Sequence, residues 1–162
     1  MGLSSSGLHT NGYSLARKII TERMHLGVGD DFPRTGQTVA DVLLTVHRSY
    51  LALLLPLLEK IHAMAHITGG GLPGNLGRAL PSGLDTVVDT SSWEVPSFFE
   101  ELQKAGQVPR EEMFRVFNMG VGMIVIVPPE SADVVIREAD ASGIGAWTMG
   151  EVRPGSGDVV IT

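Results

Sequence analysis

Apolar positions along the chain fall into helix-spaced groups, separated by short β-branched runs and by glycine-rich polar stretches. Leu15, Ala16, Ile19, Ile20 and Arg23 occupy adjoining helical positions, which predicts a helix from Gly12 to Leu26 with Gly27 just past its end. "GVGDDFPRTGQT" has no period and is expected to be a polar loop. Val39, Val42, Leu43 and Val46 again share a helical face, with Thr38 placed as its N-cap. Pro56 complicates the next segment, because a proline inside a helix costs roughly 3 kcal/mol but is tolerated in the first turn. The expected helix therefore runs from Leu53 to His62, after an extended or kinked "VHRSYL".

In the second half, "AMAHIT" and "DTVVDT" have strand character, and "NLGRAL" allows at most two helical turns. "SFFEELQKAG" predicts a helix ended by Gly106, and "REEMFRVFN" a short helix or turn. "GVGMIVIVP" is the clearest strand, apolar on both faces from Met123 to Val127, as a central strand is, and stopped by Pro128 and Pro129. "SADVVIREADASG" is amphipathic, with Ser131 as N-cap and Gly143 after its end. "AWTMGEVRP" and "DVVIT" have the pattern of a closing hairpin across "PGSG". No linker and no internal duplication divides residues 1–162, so one domain is expected. Its class is α+β, a three-layer α/β/α arrangement with helices covering a mixed sheet. Leu3 to Gly12 is expected to be a loop with no strand before it, as though the chain began inside a larger architecture, leaving an apolar patch beside that loop.

Composition narrows the function. A hydrophobic share of 43% supports a core without metal or disulfide support. The net charge of −6 argues against a nucleic-acid or anionic-membrane partner. There is no cysteine, which removes thiol chemistry and fits a cytoplasmic protein. "YLALLLPLL" is too short to span a bilayer.

Two segments carry candidate chemistry. "HITGGGLPGN" contains the G-x-G-x-x-G pattern Gly69, Gly71, Gly74, with Asp89 downstream. A dinucleotide loop fits poorly, since the helix that follows is short and Pro73 removes an amide where pyrophosphate would sit. A plain turn remains open. So does an anion cradle, in which successive glycine amides and a helix N-terminus face a phosphate and Thr68 adds a hydroxyl. "SSSGLHTNG" offers hydroxyls, a histidine and a carboxamide directly before a helix. His9 and His66 lie in these segments as hydrogen-bonding or acid–base candidates, with a structural loop role equally open. His62 and His66 are four apart, but His66 falls in a strand and no third ligand is apparent, so no metal site is expected. "FNMGVGM" sets Asn118, Gly120 and Gly122 before the best strand, as a bulge or a third wall of the same cleft.

"GLSSSGLHTNGYSLARKI", "AMAHITGGGLPGNLGRALP", "DTSSWEVPSFFEELQKAGQV" and "FRVFNMGVGM" resemble, in order and spacing, successive signatures of the phosphoribosylformylglycinamidine cyclo-ligase (aminoimidazole ribonucleotide synthetase) family. The resemblance spans essentially the whole chain but only the C-terminal half of that family's enzymes. It implies an ATP- and Mg2+-dependent ligase of purine biosynthesis that closes formylglycinamidine ribonucleotide to aminoimidazole ribonucleotide, dimeric mainly through an N-terminal half that supplies most ATP contacts. This chain would then contribute the substrate-side wall, bind neither ATP nor Mg2+ by itself, and be inactive alone. The residues that match are Ser5, Ser6, Gly7, His9, Asn11 and Gly12 in the first signature, and His66, Thr68, Gly69, Gly70 and Gly71 in the second. Asn118 and Gly120 follow in the last. His9 and His66 are the catalytic candidates and the others the substrate-binding ones. Val46-His47 departs from the proline–threonine pair usual in the family. The alternatives are a related enzyme of thiamine-phosphate kinase or hydrogenase-maturation type, or a non-enzymatic phosphate-binding module.

Overall fold

The computed structural model describes residues 1–162. In chain order the first elements are β1 (Gly2–Ser4), α1 (Tyr13–Glu22), β2 (Asp31–Phe32), β3 (Gln37–Thr38), α2 (Val39–Leu44) and α3 (Leu51–Leu54). There follow β4 (Ala63–His66), α4 (Gly71–Ala79), β5 (Leu84–Val88), α5 (Ser97–Gly106) and α6 (Arg110–Val116). The chain closes with β6 (Val121–Ile126), α7 (Ala132–Ala141), β7 (Ala146–Trp147), β8 (Gly150–Pro154) and β9 (Val159–Ile161). No helix is long and apolar enough to cross a membrane.

A four-stranded antiparallel sheet, β4-β6-β1-β7, divides the interior. Alternation along the strands, broken once on β6 by a register shift opposite Leu3 and Ser4, feeds two cores. Ala65, Val121 and Ile124 face a cluster with Ala16, Ile19 and Ile20 of α1, Leu72 and Leu76 of α4, Phe99 of α5 and Met113 of α6. Leu3 and Val125 face the other side, with Leu53 and Leu54 of α3 and Val135 and Ala139 of α7. Helices therefore cover both faces, as the three-layer expectation requires. Mixed pairing is confined to a second sheet, β8-β5-β9, in which β5 pairs antiparallel with β8 and parallel with β9.

Several local expectations change. The N-terminal segment is not all loop. Gly2–Ser4 forms an interior strand between β6 and β7, and Leu3 is fully buried. Three residues with one apolar side chain carry no readable period, so burial of roughly 1.5–3 kcal/mol at Leu3, rather than local preference, fixes this strand. The first helix stops at Glu22, and the residue that turns the chain is His25 (φ 57), not Gly27. "DDFPRTGQT" holds the hairpin β2–β3, which buries Phe32. The helix after Tyr50 starts at Leu51 and tightens into a 3-10 turn over Leu55–Lys60, because Pro56 cannot complete an α-helical bond. α4 starts four residues earlier than expected, since Pro73 sits in its first turn, where no intrahelical amide is needed. Ser131 precedes α7 without a capping side-chain bond. The closing hairpin is absent. The Asp85 carboxylate accepts the amides of Ser156, Gly157 and Asp158 at 2.7, 3.0 and 2.9 Å, which wraps "PGSG" around β5 and puts β8 and β9 on opposite sides of it.

Thr38 does cap α2. Its hydroxyl accepts the Asp41 amide at 3.1 Å and the Asp41 carboxylate accepts the Thr38 amide at 3.1 Å, a reciprocal capping box. Val46 lies beyond this helix and is 84% exposed. Thr38→Ala is expected to lower unfolding free energy by about 1 kcal/mol, read as a shift of the urea midpoint at unchanged slope.

Candidate functional site

The two signature segments meet at one end of the four-stranded sheet. β1 delivers the chain into the turn Ser5–Gly12, and β4 delivers it into Ile67–Gly70 and then α4. The first turn is tied down along its length. The Ser5 amide donates to the Gly120 carbonyl at 2.8 Å, and the Ser5 hydroxyl donates to Asn118 Oδ1 at 3.1 Å. Asn118, buried, donates in turn to the Gly7 carbonyl at 2.7 Å and accepts the Gly120 amide at 2.9 Å. Asn118 and Gly120 therefore hold the loop from behind rather than face a cleft. Gly12, half-buried, packs on the Phe117 ring at the start of α1.

The turn carries consecutive left-handed residues, His9 (φ 50) and Thr10 (φ 60). The His9 carbonyl offsets part of that cost by accepting Asn11 Nδ2 at 2.6 Å and the Thr10 hydroxyl at 2.7 Å. Asn11 Oδ1 faces Gly69, 3.5 Å from where its Cβ would stand, so the two signature loops touch here.

At the second loop, Gly71 (φ 60) lets α4 start against α6: a Cβ there would lie 1.8 Å from the Phe114 carbonyl oxygen. Asn75 laces the turn, donating to the Gly71 carbonyl at 2.6 Å and accepting the Thr68 hydroxyl at 3.3 Å. Gly69 and Gly70 are exposed, and their amides donate to no carbonyl or side chain. Arg78 reaches back from one turn further on. Its guanidinium donates to Asn75 Oδ1 at 2.6 Å and passes 4.0 Å from the Cβ position of Gly70. Two free amides, a helix N-terminus and a guanidinium thus converge on the glycine turn, a set of donors suited to an oxyanion. Sequence reasoning did not single out Arg78, although the i, i+3 spacing from Asn75 was there to be read.

The histidines assemble from three distant segments. His9 is 2% exposed, His47 half-buried and His66 exposed. His9 and His47 stack with centroids 4.0 Å apart and an interplanar angle of 18°, while His47 Nε2 and His66 Nε2 are 3.0 Å apart. Burial, reinforced by the like charges of His47, His66 and Arg48, pushes the His9 imidazole down to about 4. Burial first and His47 second lower His66 as well. Both rings are therefore neutral at pH 7. Gly122 makes the assembly possible, because its missing Cβ leaves the space taken by the Tyr50 hydroxyl and the His9 ring. Tyr50 donates to the Ser4 carbonyl at 2.8 Å, and Arg48 donates to the Ser4 hydroxyl at 2.7 Å. His62, by contrast, lies away from this group, against a separate cavity. That cavity, about 760 Å³ between the two sheets, is lined by Leu76, Val88, Ile124 and Met149 and by none of the site residues. A shallower groove of about 460 Å³ borders His47 and His66 and continues over Leu51, Leu55, Leu58 and Met64.

The chain is similar to several known proteins. The phosphoribosylformylglycinamidine cyclo-ligase of Citrifermentans bemidjiense is 49% identical over 157 residues, covering 94% of this chain and 44% of the relative. That of Pseudothermotoga lettingae is 42% identical over 162 residues, covering 99% and 48%. The chain thus spans less than half the length of these curated relatives. Thiamine-monophosphate kinase from Stenotrophomonas maltophilia shares the fold, with a TM-score of 0.62 at 16% identity over 99% of this chain and 49% of that one. So does E. coli HypE, a hydrogenase maturation protein, at 0.57 and 21% over 99% and 45%. The model of the AIR synthase related protein, C-terminal domain, matches residues 1–162, and the chain belongs to that family.

Proposed function

We propose that this chain is the substrate-side wall of an ATP-dependent cyclo-ligase that converts formylglycinamidine ribonucleotide to aminoimidazole ribonucleotide, and that it turns over only with a complementary N-terminal half. The observation that carries the reading is the glycine turn: the free amides of Gly69 and Gly70 and the Arg78 guanidinium sit beside Asn11 of the other signature loop. In this reading the turn holds the 5′-phosphate of the ribonucleotide, with Thr68, Asn11 and Ser6 along the ribose side. Neither loop contains an Asp or Glu between Ser5 and Gly12 or between His66 and Gly71. The wall therefore does not fit a hard magnesium ion, whose ligands are oxygens, and ATP with its metal belongs to the complementary half.

Ring closure forms a C–N bond from the amidine nitrogen to the formyl carbon, breaks that carbon's C–O bond to a phosphorylated oxygen, and releases a proton from nitrogen. His66, exposed and neutral, suits the role of proton acceptor. His9, buried under Ser6, shapes the loop instead. The exposed groove over Leu51, Leu55 and Leu58 gives the complementary half an apolar face to cover; it lies beside the N-terminal loop, whose Ser6 hydroxyl donates to the Val46 carbonyl at 2.8 Å.

The test is complementation. The purified chain alone is expected to show no ATP-dependent ring closure, and mixing it with the separately expressed N-terminal segment of the Citrifermentans bemidjiense relative is expected to restore it. Arg78→Ala in the mixture raises KM about tenfold or more, with a smaller effect on kcat. Turnover by the 162-residue chain by itself overturns the proposal.

A further inference from the structure

His9, His47 and His66 stand 38 and 19 positions apart, yet one nitrogen of each ring lies within 4.8 Å of the other two. Two of these contacts admit a bland account. An imidazole N–H of His47 or His66 pointed at the other's lone pair explains their 3.0 Å separation, and stacking explains the His9–His47 approach. The bland account fails at His9. The Ser6 amide donates to His9 Nε2 at 2.9 Å and so needs a lone pair there. The Ser6 hydroxyl, 3.0 Å from the same nitrogen, spends its own proton on the Val46 carbonyl and so needs an N–H there. Nε2 cannot supply both. Nδ1 meanwhile is buried without any partner. With the proton on Nδ1, a buried N–H is orphaned. With the proton on Nε2, donated to Ser6, a buried lone pair is left over. Orphaned buried polar atoms are rare, and a ligand bound through Nδ1 fills that position, with the proton held on Nε2 towards the Ser6 hydroxyl in exchange for the Ser6 amide bond.

We propose that the three histidines form a binding site for one divalent transition-metal ion of borderline softness, of the zinc type. Three imidazoles are a donor set such ions take, while magnesium and calcium require oxygen. At a metal–nitrogen distance of about 2.1 Å, a 3.0 Å separation of the His47 and His66 nitrogens gives an angle of about 90° at the metal. A tetrahedral angle needs about 3.4 Å, an opening of a few tenths of an ångström. The His47 ring must also turn out of its stack on His9, since rings only 18° from parallel do not both aim a lone pair at one ion. His47 lies outside any helix or strand, on the link between α2 and α3, and can supply both movements. The remaining coordination positions face the side where His66 is exposed, leaving room for water or an anionic ligand. Binding would clamp three segments together: the Ser5–Gly12 turn, the link carrying His47 and the end of β4. The inference does not depend on the cyclo-ligase reading: it concerns the chain without nucleotide, and the proton-acceptor role of His66 belongs to the metal-free state, in which its lone pair is free.

The test is calorimetric titration of the untagged chain with Zn2+ in a non-chelating buffer, paired with Co2+ absorption spectroscopy and thermal unfolding. One equivalent is expected to bind with micromolar or tighter affinity, with a rise in Tm at saturation and ligand-field bands from Co2+. His47→Ala and His66→Ala, both at accessible positions, are each expected to weaken binding by about 100-fold or more and to remove the Co2+ bands and the Tm shift. His25→Ala and His62→Ala are expected to leave stoichiometry and affinity unchanged. Absence of binding overturns the proposal. So does binding that survives His47→Ala and His66→Ala, or that is lost in the His25 or His62 variant.

Discussion

Replacing Gly71 by alanine is expected to destabilise the protein by about 4 kcal/mol, the largest effect of any single methyl group added to the glycine turn. Two costs combine. The added Cβ would lie 1.8 Å from the Phe114 carbonyl oxygen and 2.9 Å from the Arg115 carbonyl carbon, both backbone atoms of α6 that cannot rotate away. The residue also holds φ at 60, in the left-handed region. Neighbouring glycines give the contrast that makes the expectation specific. Gly74 has nothing within 4 Å of its Cβ position and lies inside α4, so Gly74→Ala is expected to stabilise by up to about 1 kcal/mol through helix propensity. Gly70, at φ 98 but with space around it, should cost only about 1 kcal/mol. Urea unfolding of the three variants checks the order. A Gly71→Ala loss below that of Gly70→Ala would mean that α4 and α6 can separate without cost.

The same glycine shows where sequence reasoning stops. "HITGGG" announces a turn after a strand, and the strand is there as β4. The reason for the third glycine is a backbone carbonyl 43 residues later, which no local pattern announces. β6 was legible because the run from Met123 to Val127 is apolar on both faces and is stopped by Pro128 and Pro129, the pattern of a buried central strand. β1 was not, because its signal is a single leucine between Gly2 and Ser4, and its partners lie more than a hundred residues away. The PGSG hairpin was misjudged for the converse reason. A strong local turn signal was captured by Asp85, a tertiary acceptor for three amides. In the site, Ser5–Gly12 and Thr68–Gly71 could be named from residue type alone. Their contact through Asn11 and Gly69, the return of Arg78, and the entry of His47 into the histidine group all depend on how β1, β4 and the α2–α3 link pack. The split between Asn118, which holds the loop from behind, and the exposed Gly69 and Gly70 is likewise a matter of burial.

Metal-free protein is expected to lose about 3 kcal/mol of stability as pH falls from 6.5 towards 4, because of His9. An unfolded histidine titrates near 6.5, whereas burial, His47 and His66 together with Arg48 push the folded imidazole to about 4. The unfolded state therefore binds the proton first. Stability from this group is complete above the unfolded value and declines as pH drops through the window between the two. A difference of about 2.5 units at 1.36 kcal/mol each gives the magnitude. Burial of the ring sets most of that difference, and the charged groups that face the ring add to it. His47 stacks on it from the α2–α3 link, His66 approaches from β4, Tyr50 lies at 6.2 Å, and Arg48 adds a fixed positive charge. His66, lowered in the same direction, steepens the decline. The carboxylates with lowered values, Asp41, Asp85 and Asp89, act below their ordinary value of 3.8, and the N-terminal amine, pushed down by burial to about 6, acts between 8.0 and that value, at the upper edge of this window. Unfolding free energy measured by urea between pH 4 and 7 in the presence of a chelator should show the slope. His9→Gln, which keeps a polar side chain under Ser6 but cannot take up the proton, should flatten it. A wild-type profile already flat over this range would show that the ring reaches water before it is protonated, and that the turn from Ser5 to Gly12 opens locally at a cost well below that of global unfolding.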